Sequence, residues 1–226
     1  MSTIRPRQAK RGLFLSFEGT DGSGKTTQIR RLIERLRQEG CDVLETAEPG
    51  GTPIGRQIRK VLLDPANAEM DPVAELLLYF ACRAQNVAQW IRPALEKGQV
   101  VVTDRFTDST LVYQGWGRGL GEDIVRQLHH IACGAIEPEL TIYLDIDLET
   151  SLRRARDRNE QAASLPETRM DDQAVEFNER VRHAYQMLAD REPHRFAVID
   201  ARPRADAVAA AVWSAVEPLL WDSRVR

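Results

Sequence analysis

The chain has 226 residues, 42% of them hydrophobic and 29% charged, with a formal charge of -3 at pH 7. That length suits one domain with a full core, and the near-balanced charge excludes general nucleic-acid affinity, which needs basic surface to release counterions. The longest uncharged run, around Ala207 to Val216, is about half of the ~20 residues that a membrane span needs.

In chain order, residues 1–12 (MSTIRPRQAKRG) are basic without an apolar core and read as a frayed, disordered arm rather than a secretory signal. Leu13 to Phe17 is an apolar run, as expected of a buried parallel strand. It leads into Gly19-Thr20-Asp21-Gly22-Ser23-Gly24-Lys25-Thr26, which has the spacing GxxxxGK[ST]. Beyond Thr27, the apolar residues Ile29, Leu32, Ile33 and Leu36 mark one helix face, and Gly40 its stop. Asp42 to Thr46 predicts a second strand and Ile54 to Leu63 a helix. A longer helix is expected from Asp71 to Ile91, continuing past Pro93 to Glu96, with Pro72 in its tolerated first turn. Gln99 to Thr103, Leu140 to Leu144 and Phe196 to Ile199 predict three more strands, ending at Asp104, Asp145 and Asp200. A last helix covers roughly Ala205 to Leu220. Strands alternating with helices imply an α/β fold, a parallel sheet covered on both faces. Ligands of such sheets bind beyond the carboxyl ends of the strands, which puts Gly19, Glu48, Asp104 and Asp200 on one rim.

The glycine loop brings backbone N–H groups close to phosphate oxygens, where a Cβ would interfere. Lys25 is positioned to reach the β- and γ-phosphates of ATP, and the Thr26 hydroxyl to ligate Mg2+. Asp104-Arg105 follows the third strand: a carboxylate there can hold the metal shell, and the arginine can grip a second phosphate bidentately. A guanine-reading NKxD box is absent from the sequence, so transfer to an acceptor gains over GTPase switching. Cys41, Cys82 and Cys133 are widely spaced with no CxxC pair, which favours free thiols in a reducing cytoplasm. His129 and His130 are consecutive on an expected helix and point apart, so they are not expected to share a metal.

Four runs carry a family resemblance: Glu48-Pro49-Gly50-Gly51-Thr52, Asp104-Arg105-Phe106, Tyr113-Gln114-Gly115 and Gly117-Arg118-Gly119. With the phosphate loop, the chain from about Leu13 to Asp200 resembles bacterial thymidylate kinases, nucleoside monophosphate kinases that convert dTMP to dTDP. The resemblance implies a P-loop NTPase fold with a five-stranded parallel sheet, helices on both faces and a mobile lid, working as a cytoplasmic homodimer. It implies ATP, with Mg2+ on Thr26 and Asp104, contacting Gly19, Asp21, Gly22, Ser23, Gly24, Lys25, Thr26 and Thr27. It implies an acceptor site from Asp21, Glu48, Pro49, Arg59, Tyr79, Arg83, Arg105, Thr110, Tyr113 and Gln114. Of these, Tyr79 would stack on thymine, Arg83 and Gln114 would contact the base, Tyr113 would lie by the sugar, and Arg105 would hold the acceptor phosphate.

Arg153, Arg154, Arg156, Arg158 and Arg169 bracket the polar segment Asn159 to Thr168. Taken alone, such a run is a solvated helix face. Phosphoryl transfer, though, draws on cations that absorb charge on the moving group. In the eukaryotic branch an arginine sits in the phosphate loop, where this chain has Gly22, so the resemblance implies a lid over about residues 153–172. Lys25, Arg105, Arg158 and Arg169 are then the catalytic candidates, with Arg154 against the adenine and the choice between Arg158 and Arg169 open. The kinase domain would run over residues 13–221, with a flexible end at 222–226. The chain departs from the family at Ala47, Phe106, Tyr79 and the longer lid. A kinase of another deoxynucleotide or of a nucleoside, and a nucleotide-binding regulator, are the alternatives that the sequence leaves open.

Overall fold

A computed structural model describes residues 11–147, 149–151, 153–154 and 175–221. Five strands, β1 (Phe14–Glu18), β2 (Val43–Ala47), β3 (Val100–Asp104), β4 (Leu140–Asp145) and β5 (Phe196–Asp200), form one parallel sheet in the order β2-β3-β1-β4-β5. Each strand matches an expected run to within a residue at either end.

The sheet is covered on both faces because its central strands are apolar on both. Leu15, Phe17, Val102, Ile142 and Leu144 pack with α1 (Lys25–Gln38) and α8 (Ala205–Trp221). On the opposite face, Phe14 and Val101 pack with Val87, Ile91 and Leu95, while Tyr143 packs with α3 (Pro72–Asn86), α6 (Glu122–Cys133) and α7 (Val175–Arg191). Strand alternation sends Ser16 and Glu18 to this second face, where both are fully buried.

Two helical stretches widen locally. The long helix expected from Asp71 to Glu96 is interrupted by a π-turn at Val87–Ile91 before α4 (Arg92–Glu96). Pro93 has no N–H for the helical ladder, and the wide turn absorbs that break. A short helix α5 (Thr107–Thr110) runs into a second wide turn, Leu111–Gly117. This segment and α7 had no counterpart in the sequence reading. Helix α2 (Pro53–Leu63) begins one residue earlier than expected, capped by Thr52, whose hydroxyl accepts from Gly55 N at 2.9 Å. Of the N-terminal arm, Gly12 is tied to the body, its N–H donating to Leu95 O at 2.8 Å.

Candidate active site

β1 lies at the centre of the sheet, and the chain leaves its two sides in opposite senses, so the cleft beyond its carboxyl end is the topological switch point. The cleft is lined by Asp21, Gly22, Gly24, Lys25, Thr26, Thr27, Ala47, Glu48, Arg59, Asp104, Arg105 and Arg154. Residues predicted from separate runs of sequence thus meet in one place, among them Asp21, Glu48, Arg59 and Arg105 of the expected acceptor set, whereas Pro49, Tyr79, Arg83, Thr110, Tyr113 and Gln114 are not in this lining. Asp200 ends the edge strand β5 and is not in this lining; its exposed carboxylate accepts from Arg202 Nε at 2.8 Å.

The phosphate loop is shaped by its glycines. Gly19 has φ 142°, and a Cβ there would fall 2.8 Å from Leu144 O. Gly24 caps α1 at φ 91°, which leaves the N-terminal amides of the helix facing the cleft. Lys25 opens α1, and its Nζ donates to Gly19 O at 2.9 Å and Thr20 O at 3.1 Å. Burial, reinforced by the charge of Arg105, lowers the Lys25 pKa to about 8. Thr26 is exposed in the cleft, and Ser23 is buried with its hydroxyl unpartnered among the described residues.

On the facing side, β3 delivers Asp104 and Arg105. Asp104 Oδ1 is buried and has no hydrogen-bond partner among the described residues. Arg105 has φ 68°, a left-handed conformation costing a non-glycine residue about 1–3 kcal/mol. The conformation is held at both ends: Arg105 N donates to Phe17 O at 2.9 Å, and Thr103 Oγ1 donates to Arg105 O at 2.9 Å. The guanidinium donates to Ser109 Oγ at 3.1 Å and to Asp21 Oδ1 at 3.3 Å, and lies 5.2 Å from the Tyr113 ring centroid. Burial, opposed by Arg105, pushes the Tyr113 phenol up to about 12.

Glu18 organises this wall. Its Oε1 accepts from Phe106 N at 2.8 Å and Ser16 Oγ at 3.2 Å; its Oε2 accepts from Ser109 Oγ at 2.5 Å and Tyr185 Oη at 2.8 Å. Burial and the nearby Asp108 raise the Glu18 pKa, while Arg105 and the donors on it oppose the rise. Ser109 therefore links Glu18 to Arg105, and the carboxylate fixes the arginine through an intermediary.

A third group lies behind Glu48. Arg83 Nε donates to Glu48 Oε2 at 2.5 Å, and its Nη2 donates to Phe106 O at 3.1 Å and Thr110 Oγ1 at 3.0 Å. The remaining nitrogen, Nη1, is buried and unpartnered among the described residues. Asn86 Nδ2 donates to Glu48 Oε1 at 3.1 Å, and Glu48 N donates to Asp104 O at 2.9 Å. Arg59 Nη1 donates to Pro49 O at 2.8 Å. Gly51 lets this loop close down, since a Cβ there would meet Thr46 Oγ1 at 2.2 Å. Phe80 and Phe106 flank the Arg83 guanidinium at 4.9 and 5.1 Å. Tyr79 sits half-buried on α3, four residues before Arg83, and is not among the residues lining the cleft. Gln114 is buried, its Nε2 donating to Glu75 Oε1 at 2.8 Å.

Arg154 donates from Nη1 to Ala201 O at 3.0 Å and from Nη2 to Arg202 O at 3.1 Å, so it bridges the cleft to the turn after β5. Ser151 Oγ donates to Asp21 O, tying the same segment to the phosphate loop. Arg158 and Arg169 lie outside the described residues, as do residues 155–172 of the segment expected to form a lid.

Glu18, Ser109, Tyr185 and Glu75 belong to the site without being among the residues expected from the sequence. An acid closing a largely apolar strand was a usable signal for Glu18, and an acid beside Leu76-Leu77-Leu78 for Glu75. Tyr185 lies on the stripe Phe177, Val181, Ala184, Tyr185 and Leu188, whose spacing was a usable helix signal, whereas Ser109 sits on a four-residue helix with no such pattern.

As a donor set, Thr26 and the unpartnered Asp104 Oδ1 are hard oxygens, which suits Mg2+ arriving with nucleotide phosphates. Among the described residues no group of three or more His, Cys, Asp or Glu is placed to hold a metal alone.

A family profile described as thymidylate kinase matches residues 17–212. The thymidylate kinase of Geobacter sulfurreducens is 51% identical over 201 residues, covering 89% of this chain and 94% of that protein. That of Syntrophotalea carbinolica is 50% identical over 200 residues, covering 88% and 93%. Among solved structures, the crystal structure of thymidylate kinase from Ehrlichia chaffeensis superposes with a TM-score of 0.72 at 31% identity, over 91% of this chain and 99% of that one.

Proposed function

Because the chain belongs to the thymidylate kinase family and so transfers the γ-phosphoryl group of ATP to dTMP, giving dTDP and ADP, we propose how its residues divide that work. The observation that carries the assignment is the convergence of Lys25, Asp104 and Arg105 on one cleft at the switch point. On the donor side, the Gly19–Thr27 loop wraps the phosphates and Lys25 leaves its two carbonyl partners for the β- and γ-oxygens. Arg154, held against the turn after β5, lies beside the adenine.

On the acceptor side, Arg105 takes the dTMP phosphate, with Arg59 and Asp21 beside it and Tyr113 near the sugar. Arg83 Nη1 and Gln114 address the base edge, while Glu48, Pro49 and Thr110 hold Arg83 and Arg59 in place. Tyr79 covers the ring. Thr26 and Asp104 hold Mg2+, which when bound neutralises charge on the phosphate oxygens. Arg158 or Arg169, in the lid, supplies the cation that Gly22 cannot. Positioning and fixed charge account for the catalysis, because the transferred group needs little covalent help.

A homodimer is supported by apolar side chains left exposed on α2, α3 and α6: Ile54, Val61, Val73, Leu77 and, most fully, Ile131 at 79%. A reducing cytoplasm is supported by three free thiols, one of which, Cys82, accepts from Gly50 N at 3.2 Å within the acceptor loop.

The test is ADP release with ATP and Mg2+ against dTMP, dUMP, the ribose form of TMP, dCMP and thymidine. A clear preference for dTMP with dTDP as product supports these roles; equal use of thymidine removes the phosphate clamp assigned to Arg105. Some turnover of dUMP fits, since one methyl group is worth only about 1–3 kcal/mol in an apolar pocket.

A further inference from the structure

Gln114 is 2% exposed and donates from Nε2 to Oε1 of Glu75, which is itself 1% exposed. Arg118 closes the other side of the carboxylate, with Nη2 3.4 Å from Glu75 Oε2. An amide group has two unlike ends, an NH2 that donates and an oxygen that accepts. A carboxylate paired with a guanidinium can only accept, so it selects the NH2 end of Gln114 and turns Oε1 the other way. Reversing the amide would set two acceptors against each other in a place closed to water.

The neighbouring wall presents the opposite polarity. Arg83 Nη1 is a buried donor without a partner among the described residues. Its Nη2 is fixed on Thr110, the residue that leads into the wide turn carrying Gln114. The two side chains therefore offer one donor and one acceptor. Thymine carries the complementary edge, an O4 acceptor next to an N3–H donor. Cytosine reverses both positions, with an N4 amino donor and an unprotonated N3.

We propose that Glu75 is a positioning residue for base choice: by holding the Gln114 amide in one orientation it makes Gln114 an acceptor toward the base, so that the site takes a thymine-type edge and rejects a cytosine-type edge. This rests on the reading that Arg83 and Gln114 face the acceptor base. Glu75 touches neither substrate, and its effect passes through Gln114.

The experiment is the ratio of kcat/KM for dTMP to that for dCMP in the full-length enzyme, in Glu75→Gln, Glu75→Asp, Gln114→Leu and the double variant Glu75→Gln/Gln114→Leu. A glutamine at 75 can donate as well as accept, which frees Gln114 to reverse. The expected result is a fall of roughly 10-fold or more in the ratio for Glu75→Gln. It should be carried by KM for dTMP with kcat little changed, and most of the ratio should be retained in Glu75→Asp. The double variant should show no loss beyond that of Gln114→Leu alone. Three results overturn the proposal. If Gln114→Leu lowers the ratio and Glu75→Gln does not, Glu75 has no positioning role while the base assignment stands. If Gln114→Leu leaves the ratio unchanged, the base assignment fails and takes the proposal with it. If Glu75→Gln lowers turnover of both acceptors equally, or Glu75→Asp does no better, the residue is only structural.

Discussion

Arg83 and Glu48 form an ion pair sealed from water, Nε to Oε2 at 2.5 Å, with the side chains 1% and 2% exposed. Burial pushes the Glu48 carboxyl up and Arg83 pulls it back. Removing one partner leaves a buried charge, which costs about 3–5 kcal/mol. Glu48→Ala should therefore lose that much in urea unfolding, and Glu48→Ala with Arg83→Met should lose clearly less than the two single losses added. Strict additivity would show that the pair is not coupled as its geometry indicates.

Lys25 gives a pH dependence whose sign follows from its environment. Its pKa falls from 10.5 to about 8 in the folded chain, mainly through burial. Between those values the unfolded chain binds more protons than the folded one, so stability without ligand rises with pH across that window and carries the full burial cost below it. ATP phosphates restore the charged form. Binding ATP near pH 9 should then take up most of a proton, and ATP affinity should weaken as pH rises past 8. Calorimetry in buffers of different ionisation heat measures the uptake, which should vanish in Lys25→Met.

Tyr185 donates to Glu18 Oε2 at 2.8 Å from α7, an element distant in sequence. Tyr185→Phe keeps the ring stacked on Tyr143, 4.8 Å away, and removes one donor from a buried carboxyl. A hydrogen bond to a charged group is worth about 1.5–3 kcal/mol, and thermal unfolding should register a loss in that range. An unchanged melting temperature would mean that Ser16, Ser109 and Phe106 N satisfy Glu18 without Tyr185.

The sheet was legible because its signals are local: four apolar runs and one mixed run, Asp42 to Thr46, with a helix period read after the first, second and last of them. The phosphate loop and the Asp104-Arg105 pair were legible for the same reason, since phosphate chemistry demands those residue types at fixed spacing. Less accessible were the wide turns at Val87–Ile91 and Leu111–Gly117, where the hydrogen-bond ladder slips by one residue and no 3.6-residue period marks it. The supports of the site were hidden more deeply. Glu18, Ser109 and Tyr185 come from three elements, and only the folded chain brings their side chains onto one carboxylate. Glu75 reads in sequence as a first-turn helix acid, a placement explained by the helix dipole alone; its bond to Gln114 spans 39 positions.

In the proposed division of work, Arg105, held at φ 68° between Phe17 O and Thr103, clamps the acceptor phosphate while the phosphate loop holds ATP. The most direct measurement is steady-state kinetics of Arg105→Ala with dTMP varied, alongside ATP affinity of the same variant by calorimetry. The expected result is a loss of at least ~100-fold in kcat/KM for dTMP, the scale of a lost charged transition-state contact, with ATP affinity within about 3-fold of the parent, since the donor contacts remain. A small loss in dTMP use accompanied by an equal loss in ATP affinity would contradict it and move Arg105 to the donor side.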